Sequence, residues 1–278
     1  MTRKQLKGHS GCKLFIIQSD NSDYIDCVRK VSKNIHYNKR LKAQYLKQKR
    51  FKSKIFDVPE VVNSGKTNNL FYFDMQYIRG STLASEIGFM DTITIEKIIN
   101  NIFHFISENA NKKLETHQNT DEIMLRKLAT LEDSLSKNKD FKKLNNTFDL
   151  LVTHPWYRIQ NTVSHGDLTL ENILVTEHKL YLIDLLDTFF ETWIGDISKI
   201  LVDLLIGWSF REKIITNNLG ELEEIKMHFF RKNFCTKINN LDKGTDLWED
   251  IHAYLILDLL RIIPYTKDVK VYNFILDK

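Results

Sequence analysis

The sequence has little proline or glycine, three and ten residues in 278. That is too few for long flexible linkers, so the chain is expected to fold almost throughout. Cysteine is as scarce: Cys12, Cys27 and Cys235 are odd in number and far apart, which fits neither a disulfide framework nor paired zinc ligands. A reducing, cytoplasmic setting is the simplest reading. Long apolar runs are missing too. The most apolar stretch, AYLILDLLRIIP, contains Asp258 and Arg261 and reads as a buried helix, and LFII behind the basic N-terminus is too short for a secretion signal, so no membrane span is expected. There is no internal repeat.

Acidic residues are nearly absent from the front of the chain. Residues 1 to 54 hold 15 Lys plus Arg against 3 Asp, a balance of +12, and the remainder carries 25 against 33, or −8, giving the overall +4. Such a front admits nucleic acid, nucleotide phosphates or an anionic partner. Its simplest meaning is a solvated face, and nucleic-acid binding stands last among the readings.

What is present divides the chain in two. The stretches at 12–17, 24–31 and 70–78 are β-type runs separated by polar turns, and NKRLKAQYLKQKRF between the last two spaces Leu41, Tyr45 and Leu46 as a helix does. From about residue 92 the pattern turns helical: Ile95, Ile98, Ile99, Ile102, Phe103 and Ile106 form one stripe, with further helices near 121–137, 140–151, 195–208, 220–235 and 246–263. Within this part TVSH, NILVT and KLYLID read as short strands around a loop. The length suits two lobes sharing one cleft.

That loop carries the chemistry. In HGDLTLENILVTEHKLYLID, Asp167 follows His165 by two residues, Asn172 follows Asp167 by five and Asp184 follows Asn172 by twelve. Phosphoryl transfer to a hydroxyl needs a carboxylate at the acceptor and hard oxygen ligands for the metal that neutralises the triphosphate. A loop of this length, returned by a hairpin, can present Asp167 to the acceptor as general base and Asn172 and Asp184 to Mg²⁺, with His165 holding the loop. The HxDxxxxN spacing recurs by accident in roughly one or two chains of this length per hundred, so its coincidence with flanking strands and Asp184 carries the reading.

HGDLTLENILV followed by LYLID resembles the catalytic loop of the aminoglycoside phosphotransferases, choline and ethanolamine kinases and related sugar kinases, with Gly166 where protein kinases mostly carry Arg. The resemblance implies an α+β, bilobal protein-kinase-like fold, with a small antiparallel β-sheet N-lobe at 1–79 and a larger, mainly helical C-lobe at 80–278. It implies ATP or GTP as phosphoryl donor, Mg²⁺, and a small-molecule acceptor bound by the helical lobe. Lys30, at the end of a β-type run, is the implied grip on the nucleotide phosphates. Gly8 and Gly11 form a thin glycine loop, Met75, Tyr77 and Ile78 lie at the hinge beside the base, Ile183 lies with the nucleotide and Gly80 begins the turn into the second lobe. Asp196 is either a helix N-terminal acid or a brace for the catalytic loop.

The sequence departs from the family at one place. No acidic residue lies between Asn34 and Lys54 to pair with Lys30, and Gln44 is the candidate replacement. The resemblance favours a kinase for sugars or amino alcohols. The missing glutamate keeps a nucleotide-binding pseudokinase as the alternative, and protein-kinase activity is disfavoured because no APE-like segment follows Asp184. For the acceptor, Trp193, Trp208, Trp248, Tyr254 and Tyr265 could box a quaternary ammonium but read first as core. Glu221, Glu223, Glu224, Glu249 and Asp250 could meet a polyamine but read first as solvated. Asp187 is a candidate for the cleft, Lys199 and Asp203 are read as helix-surface residues, and LRIIPYTKD resembles phosphotransferases of bacterial surface-polysaccharide pathways. Acceptor and oligomeric state are not legible.

Overall fold

The structure is a computed structural model that describes residues 2–6, 12–18, 27–115, 119–136, 141–242 and 244–277. Contacts divide the chain into two compact units, residues 1–82 with 172–187, and residues 83–171 with 188–278. The hairpin after the catalytic loop thus groups with the front of the chain, whereas the division at 79/80 counts it with the helical part.

The first unit is built on a five-stranded antiparallel sheet of β1 (Thr2–Leu6), β2 (Cys12–Gln18), β3 (Cys27–Ser32), β4 (Val61–Thr67) and β5 (Leu70–Met75), in the order β1-β2-β3-β5-β4. One helix, α1 (Asn38–Arg50), packs on β5. The apolar alternation of β5 turns Phe71 and Phe73 to the α1 face, where they meet Cys12 and Leu41. Tyr45 adds ring contacts at 5.8 Å to Phe71 and 5.9 Å to Phe73. The remaining buried residues of α1 are Gln44 and Gln48, polar groups that must find partners inside. Asn38 pins the start of α1 to the β4–β5 hairpin, donating to the Asn69 carbonyl and accepting from Phe71 N, both at 2.8 Å. That hairpin turns on Asn68 and Asn69 with φ of 49° and 63°, the pair of left-handed residues a two-residue turn between twisted strands requires.

A second, three-stranded sheet joins β6 (Ser81–Thr82), β7 (Ile173–Val175) and β8 (Leu180–Leu182), pairing Ile173 with Leu182. Asp57 ties it to the front segment. Its N–H donates to the Leu180 carbonyl, its carbonyl accepts from Leu182 N, and its carboxylate meets Lys179 Nζ at 2.6 Å. At Gly80 a Cβ would lie 2.7 Å from the Val175 carbonyl oxygen, so only glycine lets the two backbones approach.

The second unit is helical: α2 (Leu83–Glu86), α3 (Thr92–Ala110), α4 (Thr120–Ser136), α5 (Asn145–Thr153), α6 (Trp193–Leu201), α7 (Arg211–Ile215), α8 (Glu221–Leu241), α9 (Leu247–Ile262) and α10 (Val269–Leu276). Asp91 caps α3 by accepting from Thr94 N at 2.6 Å, and the buried stripe is Ile95, Ile98, Ile99, Ile102, Phe105 and Ile106. Phe103, expected in that stripe, instead meets the Phe234 ring of α8 at 5.7 Å. α3 packs against α6 and α8, and α6 against α9. α6 runs into a π-helical turn, Val202–Ile206, that ends at Gly207 with φ +75°. TVSH, expected as a strand, makes only one bridge, Thr162 with Lys113. Its backbone donates to the Glu191 carbonyl from Thr162, to the Lys112 carbonyl from Val163 and to the Asp196 carboxylate from His165. Among the described residues no helix is long and apolar enough to cross a membrane.

Candidate active site

In the first unit the chemistry gathers around Lys30. β3 sends alternate side chains to opposite faces. Arg29 goes to one face, where its guanidinium forks onto Asp74 at 2.6 and 2.7 Å and lies 4.1 Å over the Tyr72 ring. Lys30 goes to the other and is 3% exposed. Its ammonium donates to Gln44 Oε1 at 3.0 Å and pairs with the Asp184 carboxylate. Burial, the strongest single influence, lowers the Lys30 pKa, but the charge and hydrogen bond of Asp184 together with Cys12 and Tyr37 outweigh it and hold the group above the ordinary lysine value. Gln44 is used at both ends, its Nε2 donating to Tyr37 Oη at 3.3 Å.

Asp184 follows β8 and adopts φ +59°. This is a left-handed conformation that costs an ordinary residue about 1 kcal/mol or more and that Asp tolerates better than most. Ile183, just before it, donates its N–H to the Asn172 carbonyl at 3.0 Å, so Asn172 and the residue preceding Asp184 are locked by a backbone bond beyond the β7–β8 ladder. Lys47 of α1 donates to the Leu186 carbonyl at 2.6 Å. The Asp184 carboxylate and an Asn172 amide oxygen would be a sparse, hard donor set. It suits Mg²⁺, which keeps several positions for water and substrate phosphate. Among the described residues no group of three or more His, Cys, Asp or Glu could hold a metal ion.

In the second unit the loop from His165 to Glu171 is fixed through its backbone. Asp196, fully buried at the start of α6, accepts from His165 N at 2.7 Å and Gly166 N at 2.9 Å, one with each carboxylate oxygen. Gly166 has φ +90°, a conformation reserved for glycine. The buried His165 ring accepts from Asp167 N through Nδ1 at 3.2 Å, which places the hydrogen of a neutral ring on Nε2. Upstream, Thr162 N donates to the Glu191 carbonyl, Thr162 Oγ1 accepts from Trp193 N, each at 2.9 Å, and Ser164 Oγ donates to the Glu191 carboxylate. Downstream, Asp203 Oδ2 accepts from Leu170 N at 2.6 Å, and Oδ1 accepts from Ser209 N at 2.8 Å and Ser209 Oγ at 2.7 Å. Burial pushes the Asp203 carboxyl up to about 6, against the pull of those hydrogen bonds.

Two expectations are corrected here. Lys199 and Asp203 do not lie on a helix surface. Asp203 is 0% exposed, and Lys199 points inward between Asp167 Oδ1 at 3.5 Å and Asp258 Oδ1 at 3.3 Å. Leu170, Asp167 and Asp258 lie tens of residues from the groups they meet, so helical spacing could not reveal these contacts.

Of the other predicted residues, Met75 ends β5, where its sulfur accepts from Gln48 Nε2 at 3.5 Å. Tyr77 and Ile78 lie in the irregular stretch between β5 and β6. Gly8 and Gly11 lie outside the described residues. Tyr254 packs edge-on to Trp156 at 5.9 Å, Trp248 on His252 at 5.3 Å and Trp208 under Arg211 at 4.4 Å. Glu249 and Asp250 are held by Arg158, and Glu223 by Lys213.

No protein-family model matches the chain, and neither does any curated protein sequence. Solved structures do. A thermostable variant of the aminoglycoside phosphotransferase APH(4)-Ia, in ternary complex with ADP and hygromycin B, aligns over 99% of this chain and 90% of its own, at a TM-score of 0.64 and 13% identity. A Haemophilus somnus protein named as a fructosamine-3-kinase aligns over 100% and 90%, at 0.60 and 12%. The streptomycin–ATP complex of APH(2'')-IIa aligns over 94% and 85%, at 0.58 and 14%. The chain therefore has the α+β, protein-kinase-like fold of the aminoglycoside phosphotransferases.

Proposed function

We propose that the chain is a small-molecule kinase that moves the γ-phosphoryl group of ATP or GTP to a hydroxyl of a sugar, an aminoglycoside-like compound or an amino alcohol. Residues 1–79 supply the nucleotide-binding lobe in this reading, and 80–278 the catalytic loop and acceptor site. The observation that carries it is the buried Lys30 ammonium bound to Asp184, 154 residues further along the chain. A lysine kept charged in the interior beside a metal-type carboxylate has little structural rationale, since an apolar pair would serve stability as well.

Asp167 accepts the proton of the acceptor hydroxyl, whose oxygen forms a bond to the γ-phosphorus while the bond from that phosphorus to the β–γ bridging oxygen breaks and the nucleoside diphosphate leaves. Lys30 binds the nucleotide phosphates, and Gln44 and Asp184 orient its ammonium. Asn172 and Asp184 would hold Mg²⁺, which when bound neutralises the triphosphate charge. Met75, Tyr77, Ile78 and Ile183 are assigned to the base, with the glycine loop of Gly8 and Gly11 over the phosphates. His165 and Asp196 keep the loop backbone in shape. The reaction is assigned to the cytoplasm, where the three free thiols stay reduced.

The test is a screen of acceptor pools with γ-labelled ATP and GTP, run beside Asp167→Asn. Labelled product that needs both acceptor and Asp167 is expected. Tight nucleotide binding without transfer to any acceptor selects the second reading, a pseudokinase, which one observation favours: the helix partner of Lys30 is a neutral amide.

A further inference from the structure

Lys199 of α6 joins the loop carboxylate to the interior of the second unit. Its side chain is 16% exposed and reaches Asp167 Oδ1 at 3.5 Å and Asp258 Oδ1 at 3.3 Å. Asp258, on α9, is 2% exposed and firmly held: Ser198 Oγ donates to Oδ2 at 2.9 Å, and Arg261 donates to Oδ1 at 3.1 Å. Arg261 in turn lies 5.0 Å over the Phe189 ring.

Charge balance decides what this arrangement is for. Asp258 already has a cation in Arg261, and Lys199 reaches the same oxygen, Oδ1. If Lys199 served only to neutralise Asp258, a largely buried ammonium would be a second cation on a carboxylate that Arg261 already pairs, a costly surplus. Asp167 supplies a second carboxylate within reach of the same ammonium. The contact is therefore integral to the cluster.

We propose that Lys199 is a positioning residue for phosphoryl transfer, which holds the Asp167 carboxylate ionised and in one orientation, with Asp258 and Arg261 as its anchor. The proposal rests on the reading of Asp167 as the general base. Burial lowers the Lys199 pKa, and Asp258 and then Asp167 raise it by more, leaving it above the ordinary lysine value. The ammonium thus persists wherever Asp167 titrates. Among the described residues, other charged or titratable groups of this region are His165 on the loop, Glu191 before α6, Asp196 on α6, and Tyr254 and Arg261 on α9.

Two measurements on the full chain test this. The first is the ¹³C titration of the Asp167 carboxyl, assigned by Asp167→Asn, in the wild type, Lys199→Met and Lys199→Arg. The second is the pH profile of Mg-ATP hydrolysis, with water as the acceptor. Lys199→Met is expected to raise the Asp167 midpoint by about one pH unit or more. It should move the acid limb of kcat upward by the same amount, lower the plateau roughly tenfold through lost orientation, and leave the KM for ATP unchanged. Lys199→Arg should restore the midpoint. If the methionine variant does not fold, as judged by circular dichroism, Lys199→Gln takes its place. An Asp167 midpoint that does not move overturns the proposal, whatever the rates do. Wild-type hydrolysis no faster than that of Asp167→Asn, beside a shifted midpoint, overturns the kinase reading instead and leaves Lys199 as the group that holds Asp167.

Discussion

The amide oxygen of Gln44 accepts a hydrogen bond from the Lys30 ammonium at 3.0 Å, and the same amide donates to Tyr37 Oη at 3.3 Å. Gln44 is thus a two-sided bridge. A glutamate there would still accept from Lys30, and the phenol hydrogen can rotate to donate to it. Gln44→Glu is expected to keep the fold and to change nucleotide affinity by less than about threefold. Gln44→Leu strips a partner from both neighbours. It should lower unfolding stability by about 1–3 kcal/mol, the penalty for buried polar groups left short of partners, and weaken nucleotide binding about tenfold, or 1.4 kcal/mol. Denaturant unfolding and calorimetric ATP titration measure both; an unaffected leucine variant would remove Gln44 from the site.

Asp196 uses both oxygens on the backbone of His165 and Gly166. In Asp196→Asn one of those amides faces an NH₂ group instead of an acceptor. The expected loss is about 1–3 kcal/mol of stability and at least a tenfold fall in kcat, with nucleotide affinity intact because Lys30, Gln44 and Asp184 belong to the other unit. Gly166→Ala should act in the same direction, since φ +90° strains any side chain. Equal loss of ATP affinity in both variants would contradict this division of labour.

Asp203 predicts a pH dependence with a definite sign. Its folded pKa stands at about 6, above the ordinary aspartate value of 3.8, so between those values the folded state binds more protons than the unfolded state. Stability from this group is full below about pH 4 and is lost as the pH rises through 6, by roughly 3 kcal/mol in all. Asp203→Asn does not titrate. The wild type minus variant difference in unfolding free energy should therefore fall between pH 4 and 6 and stay flat above 7. A difference independent of pH would show that the carboxyl titrates normally.

The parts of the fold that could be read in advance are those where one apolar face dominates. β5 alternates around Phe71 and Phe73, and α3 repeats isoleucine at helical spacing, so both announced themselves. β1 and β4 did not: TRKQL and VVNSGKT are edge strands rich in polar residues, held by ladder bonds that leave no apolar signature. At the candidate site, Asp167, Asn172 and Asp184 were legible because they sit in one local motif, and Gln44 because its absent acid neighbours singled it out. Lys199, Asp203 and Asp258 were not. Each is a charge on an amphipathic helix whose burial depends on a partner elsewhere in the unit, and spacing along a helix cannot distinguish a solvated charge from a paired one.

Lys47 supplies the last prediction. Asp184 holds φ +59°, a conformation that relaxes unless its surroundings impose it. The backbone bond from Ile183 to Asn172 constrains it from the N-terminal side, and on the C-terminal side the Lys47 ammonium reaches from α1 to the Leu186 carbonyl at 2.6 Å. A methionine at 47 keeps the aliphatic stem and removes the donor. Amide hydrogen exchange over residues 184–187 should then speed up at least several-fold, while the β7–β8 ladder and the α1 core around Leu41 exchange as before. Mg-ATP binding should weaken with it, because the carboxylate assigned to the metal is no longer held in place. Lys47→Arg, which can still donate to the carbonyl, should recover most of the protection. Exchange unchanged in Lys47→Met would mean that the left-handed turn at Asp184 is set by the β7–β8 hairpin alone, and that α1 has no hold on the metal-type carboxylate beyond the contact through Lys30.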